Sequence, residues 1–86
     1  MRPHEVIFYP VMTERSVNMI ENENKLVFMV NRNANKHDIS MAMKSLYGVQ
    51  TKSVRTLITR EGKKKAFVRL IDGDDASDLA IKLGIL

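Results

Sequence analysis

Apolar positions fall along the chain in seven segments, and the period within each points to one kind of element. Val6-Ile7-Phe8-Tyr9 is a short apolar run stopped by Pro10, which predicts a short strand. Thr13 stands where an N-cap would, ahead of Glu14, whose charge suits the positive end of a helix. Val17 and Ile20 give that helix an apolar side, and polar residues end it near 21–23. Residues 25–31 are continuously apolar between Lys25 and Asn31 and rich in strand formers, so they predict a strand buried on both faces. Asn33-Ala34-Asn35 reads as a turn. Asn35 then caps a helix, with Asp38 three residues on as a short capping box. Ile39, Ala42, Met43 and Leu46 follow at helical spacing, and Gly48 stands where a C′ glycine stops a helix.

Residues 49–60 come near alternation and predict a long strand with an irregularity. Glu61-Gly62 makes a turn, and residues 64–71 return as the second strand of a hairpin. Ala66, Val68 and Leu70 share one face of that strand, and Lys65, Phe67 and Arg69 share the other. Residues 72–75 form a turn and cap, and residues 77–85 a short helix with Leu79, Ala80 and Leu83 turned inward. The order β-α-β-α-β-β-α predicts an α+β sandwich: a mainly antiparallel sheet, helices packed on both faces, and a C-terminal helix. With no linker, repeat or low-complexity tract, residues 1–86 read as one domain.

Composition narrows the function. A chain of 86 residues, 44% hydrophobic and 28% charged, can fold, but it buries only about 60–65% of its unfolded surface. A partner that binds the folded form alone would add stability. No cysteine is present, which removes disulfides and thiolate metal sites and fits a reducing compartment. No apolar run approaches the ~20 residues of a membrane span, and no apolar signal segment follows the first residues. The expectation is a cytoplasmic protein without a membrane partner.

The net charge of +4 is unevenly spread. Residues 32–69 hold ten basic side chains against Asp38 and Glu61, a net of +8. Residues 70–86 hold Lys82 against Asp72, Asp74, Asp75 and Asp78, a net of −3. A basic middle with a segregated acidic end predicts a polyanion-binding face and a separate outward face.

Catalytic and metal chemistry find little support. His4 and His37 are far apart in sequence, and a metal site needs three or four converging ligands. The cluster at 72–75 lacks the alternating spacing and terminal Glu of an EF-hand. No Gly-rich phosphate loop occurs, since the four glycines are scattered. An acylphosphatase-like enzyme would want an Arg in an N-terminal Gly-rich cradle, and no glycine precedes Gly48. No cofactor is expected.

Lys63-Lys64-Lys65 at the hairpin is open to two readings, an edge strand protected by charge or a set of phosphate contacts. Arg55, Arg60 and Arg69 on the same hairpin favour an anionic partner, because like charges across a sheet repel unless neutralised. Three Phe and two Tyr are too few for base stacking to be the main binding mode. Ala66-Phe67-Val68 also lacks the glycine and first aromatic of an RRM octapeptide. The same composition argues against a free-standing regulatory module that reads base sequence.

Four stretches in order resemble one family. Pro10-Val11-Met12-Thr13-Glu14-Arg15-Ser16 resembles the "P-x-x-[ST]-E-[KR]-[AS]" signature of the universal tunnel-exit ribosomal proteins, large-subunit protein number twenty-three. Asn35 to Ile39 with Leu46-Tyr47-Gly48-Val49 resembles the family's second helix and its exit. Val54-Arg55-Thr56-Leu57 resembles its "V-N-T-L" strand, with Arg55 in place of the usual Asn. Lys64 to Leu70 resembles its "K-K-A-x-V-x-L" strand, followed by Ile71 where a polar residue is usual. The short loop at 60–63 lacks the long tunnel-reaching hairpin of bacterial members and looks archaeal.

The resemblance implies a structural protein of the large ribosomal subunit that binds large-subunit rRNA near the exit tunnel. Implied partners are neighbouring large-subunit ribosomal proteins and a nascent-chain factor, either the signal recognition particle or a chaperone. Outside the ribosome a monomer is expected. Thr13, Arg15, Ser16, Asn35, Lys36, Arg55, Lys63, Lys64, Lys65 and Arg69 are the candidate rRNA contacts. Lys and Arg would supply charge, and Thr, Ser and Asn can donate to phosphate oxygens. Glu14 matches the family's factor-docking position, and is also placed as a plain helix N-terminal acid.

Overall fold

A computed structural model describes residues 1–86. Its elements are α1 (Pro3–Val6), β1 (Ile7–Pro10), α2 (Glu14–Glu23), β2 (Lys25–Val30), α3 (Lys36–Tyr47), β3 (Thr51–Ile58), β4 (Lys64–Leu70) and α4 (Ala76–Lys82). The strands form one antiparallel sheet in the order β1-β2-β4-β3. The two longest strand pairings therefore meet at β4, and β3 is an outer strand.

Alternation assigns the two faces. On one face Leu26 and Phe28 of β2 pair with Val68 and Ala66 of β4, whose other neighbours are Val54 and Thr56 of β3. This face carries the core. Val6, Ile39, Ala42, Met43, Ala76, Leu79 and Ala80 from α1, α3 and α4 join it in one buried cluster. Phe28 has no exposed surface and stacks on Tyr47 at 6.1 Å between ring centroids. Burial of a ring that size stabilises by roughly 1.5–3 kcal/mol. The short α2 lies beside β2: Ile20 enters the core cluster, while Arg15 and Met19 line a groove on the opposite face with Val27 and Phe67. Helical residues thus meet both faces.

Local chemistry explains the ends of the elements. Thr13 Oγ1 accepts the Ser16 amide at 3.1 Å, and Ser16 Oγ accepts the Thr13 amide at 2.8 Å, a reciprocal cap at the start of α2. Asn35 and Asp38 do the same for α3 at 2.8 and 3.0 Å. Gly48, at φ +68°, ends α3 in the left-handed conformation that glycine adopts without a Cβ penalty. The last helix is shorter than the pattern predicted. Gly84 turns left-handed, and the amides of Gly84 and Ile85 return to the Ile81 and Ala80 carbonyls, so α4 closes before residue 85.

The chain start also departs from expectation. The segment around His4, where the apolar pattern predicts no element, is a helical turn with a proline at its first position. Val6 is buried, and Asn31 holds the turn through bonds to the Glu5 and Val6 carbonyls at 3.1 and 2.8 Å.

Asn24 joins the two ends of the molecule. It sits left-handed at φ 55° after α2. Its side-chain oxygen accepts the Ala76 amide at 2.7 Å, and its amide group donates to the Asp74 carbonyl at 2.9 Å and the Ile71 carbonyl at 3.3 Å.

Tyr47 gives the fold a pH dependence at the alkaline end. Burial raises its phenol above the usual value of 10.0 by disfavouring the anion. The unfolded chain ionises first, so the contribution is whole below about pH 10 and fades as pH climbs toward the folded-state value. Urea melts at pH 9 and pH 11 should show a smaller alkaline loss of stability for Tyr47→Phe than for the parent. Equal losses in the two proteins would refute this account.

Candidate nucleic-acid interface

The second face of the sheet is the one that the core helices leave uncovered. Its side chains follow from strand register. Lys25, Arg69 and Ser53 lie in one row across β2, β4 and β3; Val27, Phe67 and Arg55 lie in the next; Met29, Lys65 and Leu57 lie in the third. Neighbouring strands are about 4.8 Å apart. Cations and apolar groups therefore alternate over a surface about three strands wide. Arg15 of α2 borders it, sharing one groove with Phe67 and Lys65 and another with Arg55 and Lys25.

The positive charge on this face is scarcely neutralised. The one ion pair of the molecule joins Lys25 Nζ to Glu23 Oε1 at 3.3 Å. Arg15, Arg55, Lys65 and Arg69 have no carboxylate within 4.0 Å. The acidic residues of the C-terminal end lie with α4 on the core side. There Asp74 accepts the Gln50 amide at 2.8 Å, and Asp75 caps α4 through the Ser77 amide at 2.8 Å. Folding thus sets the C-terminal acids apart from the cations of the open face, while Lys36, Lys44 and Lys64 stay on the core side.

The ten candidate contacts divide accordingly. Arg15, Arg55, Lys65 and Arg69 come together on or beside the open face. Thr13 is exposed at the start of α2, at the rim of the same groove. Ser16 is buried, and its hydroxyl is engaged with Val11, Thr13 and the cap. Asn35 also spends its side chain on a cap, and Lys36 is exposed on α3, in the layer on the core side. Lys63 is exposed in the hairpin turn. Lys64, one residue out of phase with Lys65, lies on the core side, where Nζ donates to the Ala34 carbonyl at 2.6 Å. Glu14 is exposed in the first turn of α2, where its charge complements the helix dipole.

Two members of the face escaped the sequence reading. Lys25 was legible in principle, since alternation places it on the same side as Val27 and Met29. Met19 was not, because nothing in its segment shows which way α2 rolls against the sheet. No three His, Cys, Asp or Glu side chains gather as a metal site would require, and no helix is long and apolar enough to cross a membrane.

Comparison with known proteins agrees with the resemblance in the sequence. The model of the family described as "Ribosomal protein L23" matches residues 5–77. The large ribosomal subunit protein uL23 of Methanococcus aeolicus is 45% identical over 85 residues, covering 99% of both chains. That source fits the archaeal character read from the short hairpin. The matching family is one of ribosomal proteins and not of enzymes. By both measures the chain belongs to the ribosomal protein L23 family.

Proposed function

We propose that the chain is a structural constituent of the large ribosomal subunit that binds large-subunit rRNA through the open face of its sheet, near the exit of the polypeptide tunnel. The observation that carries this reading is the set of Arg15, Arg55, Lys65 and Arg69, gathered on one side with none of them in an ion pair. Thr13 and Lys63 extend the contacts at its margins, and Lys36 adds a separate exposed cation. Ser16, Asn35 and Lys64 are occupied by local caps and a backbone contact, and serve by fixing the backbone there.

The protein works in the cytoplasm, in the ribosome, beside rRNA and neighbouring large-subunit proteins. The exposed start of α2, with Glu14, is the surface offered to a nascent-chain factor such as the signal recognition particle or a chaperone. The family resemblance supports that role.

Binding by phosphate neutralisation has a definite salt signature. With roughly six phosphates engaged, log K against log salt should fall with a slope of about −4 to −5. Filter binding of the chain to large-subunit rRNA between 50 and 300 mM salt measures it. Absence of binding, or binding indifferent to salt, would overturn the proposal.

A further inference from the structure

Beyond phosphate contact, the edge of the sheet carries a feature of different chemistry. Phe8 and Tyr9 are adjacent in β1, yet both are large aromatics with about half their surface in solvent, at 57% and 49%. Neighbours in a regular strand point to opposite faces, and one of the two would be expected in the core. A break in register explains why neither is. Ile7 pairs with Val30 and Tyr9 with Met29, so β1 holds one residue more than β2 across this step. Such a bulge re-aims a side chain. Ile7 remains in the core, and Tyr9 is brought level with Met29, on the open face. Phe8 and Tyr9 then border one cavity of about 250 Å³.

The rest of that cavity indicates what it suits. Its other walls include Met29, Arg32, Gly62 and Lys63, and no carboxylate lines it. Arg32 approaches the hairpin turn closely: a Cβ placed on Gly62 would stand 3.5 Å from its guanidinium nitrogen. Lys65 is the cross-strand neighbour of Met29 on the same face. Two exposed rings bordered by Arg and Lys, without acids, offer a π-surface to a base and cations to its flanking phosphates. A protein surface of ordinary composition would bring both signs of charge to such a rim.

We infer that the Phe8–Tyr9 bulge is a seat for a single unpaired nucleotide of rRNA, stacked on one or both rings and held by Arg32, Lys63 and Lys65. This rests on the rRNA-binding reading and adds to it a non-ionic, base-directed contact at the rim of a phosphate-binding face.

The test uses the full chain and deproteinised large-subunit rRNA. Phe8→Leu/Tyr9→Leu keeps apolar bulk and removes both rings. It should weaken binding by roughly 5- to 100-fold while leaving the salt slope unchanged, because stacking releases no counterions. Phe8→Tyr/Tyr9→Phe, which keeps two rings, should bind as the parent does. Ultraviolet crosslinking followed by mass spectrometry should find a nucleotide adduct on the peptide that contains Phe8 and Tyr9. Thermal melts of both variants check that the exposed replacements leave the fold intact.

Should the parent bind rRNA and the leucine variant bind equally well, the seat is refuted and the phosphate face stands. If the parent binds no rRNA, the wider reading fails first. A leucine variant that binds naked rRNA normally but enters large subunits poorly would assign the rings to a protein neighbour, which also overturns the inference.

Discussion

Changing Arg55, Lys65 and Arg69 together to glutamine is expected to lower affinity for large-subunit rRNA by about 100- to 500-fold at 0.1 M salt. The figure follows from 0.7–0.9 log unit per phosphate for each decade of salt, taken over three contacts and the decade from 0.1 to 1 M. The salt slope should become shallower by about 2 to 3 in the same measurement. The fold should survive, because these side chains make no ion pair. Arg55 and Arg69 are exposed, and relieving like charge on adjacent strands costs nothing. Glutamine at Lys44 and Lys82, exposed on α3 and α4, provides the control. If the triple variant kept both its affinity and its slope, the open face would not be where the phosphates lie.

The largest expected loss of stability lies at Asn24, at the end of the sheet, and involves none of these cations. Asn24→Ala removes bonds to Ala76, Asp74 and Ile71 that span about 50 residues of sequence, and strands the Ala76 amide. Neutral hydrogen bonds contribute about 1 kcal/mol each. Alanine at φ 55° adds another 1–2 kcal/mol, because its Cβ crowds the backbone where asparagine is tolerated. The sum is about 4–5 kcal/mol. For a domain of this size that lowers the melting temperature by roughly 16–40 °C. Asn24→Gly keeps the backbone conformation and loses only the bonds, so it should fall between alanine and the parent. Calorimetry on the three proteins decides. An alanine variant within 1 kcal/mol of the parent would show that the corner between β4 and α4 holds without this residue.

The two cases show what a sequence discloses. The basic hairpin was legible because period two sorts Lys65, Phe67 and Arg69 from Ala66, Val68 and Leu70 without knowledge of the rest of the chain. The caps at Thr13 and Asn35 were legible because they act within three residues. Lys64 was grouped with its neighbours by charge, although the same alternation puts it on the Ala66 side, where its Nζ meets the Ala34 carbonyl. Asn24 looked like one more polar residue after a helix. Its partners are 46 to 52 positions away, and nothing local announces them. The helical turn at Pro3–Val6 escaped for the same reason, since Asn31 and α3 hold it in place. The Phe8–Tyr9 bulge is a property of the pairing between β1 and β2, and pairing register is invisible in either strand alone.

The position of β3 on the outside of the sheet bears on the life of the free chain. Its outer border exposes backbone donors and acceptors, with Leu57 and Ile58 about half uncovered beside them. Two copies meeting along that border would bring Lys52, Arg55 and Arg60 of each against those of the other, and mutual repulsion keeps them apart. The cations proposed to meet nucleic acid thus also oppose strand-to-strand pairing of the free chain. Stray polyanions that mask them before assembly would leave the border unguarded and invite strand-to-strand aggregation.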